Sequence, residues 1–163
     1  MGYEEDIRLE HTFSGQIKAL LGQHFFTQDV QRDKNEATDF ATYTIHPIKV
    51  GARLRTYRWW NKRQEFTIRW SRPSGCATEI HKIRAKLVQY LFYGFVDEQE
   101  QRIIQYFIGD LAVFCQHEPK NPRIYPNDPP DSQLAVFNIS SFPHSFIVAS
   151  RNLPAELYTA PLL

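Results

Sequence analysis

The run Glu65–Trp70, EFTIRW, alternates strictly: Phe66, Ile68 and Trp70 fall on one side, and Glu65, Thr67 and Arg69 on the other. Side chains alternate across a strand, so this spacing predicts a strand with one apolar and one charged face. A chain carrying it must supply a layer to cover the apolar face. Just upstream, VGARLRTYRWW repeats the device, with Val50, Ala52 and Leu54 set against Gly51, Arg53 and Arg55. SRPSG then closes the second strand, and Thr78 or Ser74 can cap a helix that follows. Ile80, Ile83, Leu87, Leu91 and Gly94 trace one face of that helix; Glu79, Lys82, Lys86 and Gln89 trace a neighbouring polar face.

Other segments follow the same logic. Residues 5–26 predict an amphipathic helix on Phe13, Ile17, Leu20, Leu21 and His24. TDFATYTIHPIKV predicts a strand whose pairing Pro47 limits. IIQYFIGDLAVFCQ reads as a buried strand with irregular ends, a helical turn being the other reading. The proline-rich stretch 118–133 reads as a loop, and LAVFNIS and FIVAS as further strands. The order helix, strand meander, helix, strand predicts an α/β (α+β) chain with helices on the faces of a sheet, one domain over residues 1–163. Its 163 residues suffice for one core, and 42% hydrophobic with 14% aromatic residues argue against disorder.

Charge is unevenly spread. The net value is only +1, yet residues 49–86 hold eleven Lys or Arg against Glu65 and Glu79 alone. Such a block fits an anion-binding face, or simply a solvated basic surface. No apolar run reaches the roughly 18 residues of a membrane span, and MGYEEDIRLE is too acidic for a secretory signal. Cys76 and Cys115 stand alone, outside any CxxC pattern, which fits a reducing, cytoplasmic setting. No hydrolase elbow, phosphate-cradling glycine loop or HExxH spacing is present.

Two carboxylates offer chemistry. Asp39 opens one predicted strand and Glu65 another, so they can meet at one end of the sheet. Adjacent carboxylates repel unless a cation separates them, and Mg²⁺ (or Mn²⁺) suits such a pair when phosphate is the substrate. Lys82 or Arg69 would then steady the charge developing on phosphate. Solvated strand ends account for the same acids. Glu79 and Lys82, three apart on a helix, form either a surface ion pair or a phosphate site at the helix start. Arg53 and Arg55 share one strand face that could hold phosphate. Trp59 and Trp60, beside Arg58 and Lys62, could stack on bases or belong to the core.

ATDF, ARLR, EFTIRW, SGCATEIHKI, YLFYGF and FNISSFPHSFIVAS, spread over most of residues 10–150, resemble a phage- and prophage-type group of the PD-(D/E)XK nuclease superfamily. The resemblance implies a restriction-endonuclease-like fold, a central mixed sheet flanked by helices. It implies a Mg²⁺-dependent nuclease acting on DNA or RNA, DNA being favoured, with no membrane partner; monomer and dimer stay open. Asp39 and Glu65 would hold the metal, assisted by Glu10 or Glu79. Lys82 would stabilise the attacked phosphate or orient water, and Arg53, Arg55, Arg69 and Lys86 would bind the nucleic-acid backbone. The family's lysine falls at Thr67 here, with Lys82, Glu79 and Arg69 as substitutes. That departure keeps two other readings in play: an inactive nucleic-acid-binding module on the same fold, and a structural or protein-interaction phage-type protein.

Overall fold

The computed structural model describes residues 3–36, 48–62, 64–97, 99, 101–127 and 130–154. In chain order the elements are α1 (Tyr3–Glu36), β1 (Val50–Thr56), a 3₁₀ segment (Tyr57–Lys62), β2 (Glu65–Ser71), α2 (Glu79–Arg84), β3 (Tyr90–Asp97), β4 (Arg102–Asp110), α3 (Leu111–His117), β5 (Arg123–Pro126), β6 (Gln133–Asn138), two short 3₁₀ turns, and β7 (Ile147–Arg151). They build a mixed α/β structure with two sheets. The first is ordered β1-β3-β4-β7, with β1 parallel to β3 and the other pairs antiparallel. The second is ordered β2-β6-β5 and is wholly antiparallel.

Alternation explains the layering. Along β3, Leu91, Tyr93 and Phe95 face the second sheet, while Phe92 and Val96 face α1. Buried Leu9, Phe13 and Ile17, one helical turn apart, give α1 the apolar stripe that covers this outer face with Leu54 and Ile108. Gln16 anchors the helix at the β3–β4 turn, donating to the Gln101 carbonyl at 2.7 Å and accepting from the Ile103 N–H at 3.0 Å. Between the sheets lies an aromatic core centred on Phe66, whose ring stacks with Phe137 and Phe146 at 5.4 Å. Gly109 of β4 is required here, because a Cβ would lie 2.7 Å from the Phe146 ring.

Four expectations are corrected. The strand meander fails at its first step, because β1 and β2, consecutive in sequence, end up in different sheets. The helix capped by Thr78 stops at Arg84 instead of continuing through Leu91 to Gly94, which belong to β3. A Schellman closure causes the stop: the Leu87 N–H bonds the Lys82 carbonyl at 3.0 Å and the Lys86 N–H bonds the Ile83 carbonyl at 2.8 Å. The buried-strand reading of IIQYFIGDLAVFCQ holds only to Asp110; beyond it the other reading, a helical turn, holds for Leu111–His117, where the Asp110 side chain accepts from the Ala112 and Val113 N–H groups. The proline-rich stretch contains β5, an edge strand, where proline removes no ladder hydrogen bond that the sheet needs. The strand expected around Asp39 lies outside the described residues apart from Ile48, Lys49 and Val50, of which only Val50 is in a strand.

Closure of α2 puts Lys86 at φ 57, a left-handed conformation that glycine adopts without strain. Lys86→Gly is therefore expected to stabilise the protein by about 0.5–1 kcal/mol, raising Tm by roughly 1–4 °C in calorimetry. A lower Tm would contradict this account of the helix end.

Candidate functional site

β1 closes one edge of the first sheet and β2 one edge of the second. Arg53 and Arg55, two residues apart, project from the same side of β1; Thr67 and Arg69 do the same on β2. The two edges meet through side chains. Arg55 donates from Nε to the Tyr93 hydroxyl at 3.1 Å and from Nη2 to the Thr67 hydroxyl. Two residues away, Glu79 bridges the strands, accepting from Arg53 Nη2 at 2.8 Å and from the Arg69 backbone N–H at 3.0 Å. Thr78 brings Glu79 there: its hydroxyl donates to the Trp70 carbonyl at 2.8 Å and pins the start of α2 to the end of β2.

Arg53, Arg55 and Arg69 are only 7%, 6% and 6% exposed. The alternation correctly put Arg53 and Arg55 on one face, but that face is turned into the protein.

Two clefts flank this contact. One, of about 360 Å³, is lined by Glu10 of α1, Arg53, Arg69, Arg72, Glu79 and Lys82. The other, of about 420 Å³, is lined on its polar side by Arg55, Lys62, Glu65, Thr67, Arg123 and Asn127. Arg53 and Arg55 stand about 7 Å apart at the strand repeat, so the clefts are neighbours along one line. Seven Lys or Arg and three Glu line the pair, an excess that favours an extended anion.

Asn127 lines the second cleft, and Asp131 accepts a hydrogen bond from it while feeling the charges of Arg69 and Arg72 in the first. Burial pushes the Asp131 carboxyl up, but hydrogen bonds from Ser132 and Asn127 and the charges of Arg69 and Arg72 outweigh it, leaving the group below its ordinary value. In the second cleft Glu65 pairs with Arg123, whose guanidinium is raised first by that hydrogen bond and then by the carboxylate charge.

The expected site residues are thus divided. Glu10, Arg53, Arg69, Glu79 and Lys82 share the first cleft; Glu65 and Arg55 line the second. Lys86 lines neither and instead terminates α2. Asp39 lies outside the described residues. The cation beside Thr67 is Arg55, supplied by the facing strand, and Lys82 is in the other cleft. Sequence reasoning missed Arg123 and Tyr125 as site residues. Their two-residue spacing in RIYP was the available signal, hidden by the flanking prolines.

Among the described residues, no three His, Cys, Asp or Glu side chains gather as a metal-holding group. Glu65 and Glu79 are in different clefts, and each accepts from an arginine. These two carboxylates do not fit one shared divalent ion. No helix among the described residues is long and apolar enough to cross a membrane. No protein-family model, curated protein or solved structure matches the chain.

Proposed function

We propose that this protein binds nucleic acid, DNA foremost, along the line of two clefts between the sheet edges. One observation carries the reading: arginines from two facing strands, almost excluded from water, line both clefts, Arg53 and Arg69 the first and Arg55 the second. Cations in a low-dielectric cleft focus their field outward and attract a polyanion. Phosphates track such a groove, while Lys62, Arg72 and Lys82 reach them from its less buried margins. The mixed first sheet with α1 on its outer face supports a restriction-endonuclease-like ancestry for the scaffold. The free thiols Cys76 and Cys115 fit a cytoplasmic setting.

The test is fluorescence anisotropy with a labelled 20-nucleotide DNA. Lys62→Gln and Lys82→Gln, both at exposed positions, each weaken binding several-fold and each lower the salt dependence by about one ion. Unchanged affinity in both variants overturns the groove. The same mixtures with Mg²⁺ or Mn²⁺ are run on a denaturing gel. Metal-dependent cleavage would replace pure binding with the hydrolase that the family resemblance implies.

A further inference from the structure

We propose that the second cleft receives one unpaired nucleotide, its base stacked against Trp59 and Tyr125 and its phosphate held by Lys62 and Arg123. This rests on the nucleic-acid reading above and specifies what the groove selects. Exposed large aromatics are the first observation. Trp59 is 40% and Tyr125 48% exposed, and both line this cleft. They come from separate elements: Trp59 from the 3₁₀ segment after β1, Tyr125 from the edge strand β5. Arg58 lies over the Trp59 ring at 5.7 Å, a cation beside a stacking surface.

The cleft wall is the second observation. Tyr93, Phe95, Leu134 and Val136 make it apolar, with Arg55, Thr67 and Asn127 supplying hydrogen-bonding groups. A volume of about 420 Å³ is within the roughly 300–1,000 Å³ of small-ligand sites. Apolar walls, a few polar groups and exposed rings match a nucleobase; Arg55, Lys62 and Arg123 against the single Glu65 match its phosphate. A base in a duplex has both faces covered by its neighbours, so only an unpaired or extruded base can use these rings. The first cleft has no such rings among its lining residues, so the two ends of the groove differ in role: phosphate tracking at one, base capture at the other.

The experiment compares a 20-nucleotide single strand with its duplex by anisotropy, using the intact protein and its Trp59→Ala, Tyr125→Ala and Trp59→Phe variants. Both rings are exposed, and thermal melts check that each variant stays folded. Each alanine variant is expected to lose roughly 5- to 150-fold in single-strand affinity, the effect of one lost stack. Duplex affinity should change less than twofold, and Trp59→Phe should keep most of the binding. Equal losses on both substrates, or no loss on the single strand, overturn the pocket while leaving the basic groove standing. If wild-type protein binds neither oligonucleotide, the functional reading itself falls.

Discussion

Phe66→Ala is expected to cost about 3–5 kcal/mol, the range for truncating a fully buried aromatic ring. Phe66 has no exposed surface and joins nearly every layer of the inner core. Its ring meets Tyr93 and Phe107 from the first sheet, Phe137 from the second and Phe114 from α3. It also touches Phe142, just after the first 3₁₀ turn, and Phe146 from the second. Rings this rigid cannot collapse into the space left by truncation, so the cavity persists and its cost adds to the lost transfer energy. For a domain of this size the loss lowers Tm by about 6–20 °C. Phe66→Leu should lose far less, because it refills most of the volume. Calorimetry on both variants checks this. A Phe66→Ala protein melting within 3 °C of wild type would mean that the two sheets do not share this core.

Glu79→Ala is expected to destabilise by about 2–4 kcal/mol, near the range for breaking a buried ion pair. The Arg53 and Glu79 side chains are 8% and 22% exposed. Losing the carboxylate removes the Arg53 partner seen at 2.8 Å and the acceptor of the Arg69 N–H at 3.0 Å. Glu79→Gln keeps an acceptor without the charge and should fall between Ala and wild type. Urea titration separates two roles for this residue. A carboxylate kept for catalysis tends to cost stability, so removing it raises the midpoint; a strut between strand edges lowers it. A midpoint at or above wild type in Glu79→Ala would make Glu79 a reacting group rather than a brace.

Where periodicity was clean, the fold was legible. EFTIRW and the Arg53/Arg55 alternation became β2 and β1, with the residues grouped by side as their period predicts, although the arginine side of β1 is buried. The run Leu91–Val96 was not legible: β3 is buried on both faces, which erases alternation and lets the residues pass for a helical stripe. The end of α2 was hidden for a local reason, since Lys86 stands where a glycine would have announced the stop. For the site, cationic faces could be read from β1 and β2, but the grouping of acids could not. Glu65 and Glu79 are close in sequence, yet they separate because Glu65 opens β2 while the α2 start holds Glu79 beside Arg69, towards the strand's other end. Arg123 and Tyr125 enter the site through a separate long-range pairing, β5 with β6, in register with Val136 and Leu134.

The central claim, that the line of clefts binds a nucleic-acid backbone, is tested most directly by the salt dependence of affinity. Wild-type binding to a 20-nucleotide single strand is measured by anisotropy from 50 to about 300 mM KCl. With four to seven phosphates neutralised at about 0.7 ions each, the logarithm of the association constant should fall linearly against log[KCl] with a slope of about −3 to −5. A slope near zero, or no binding at 50 mM, would contradict the account.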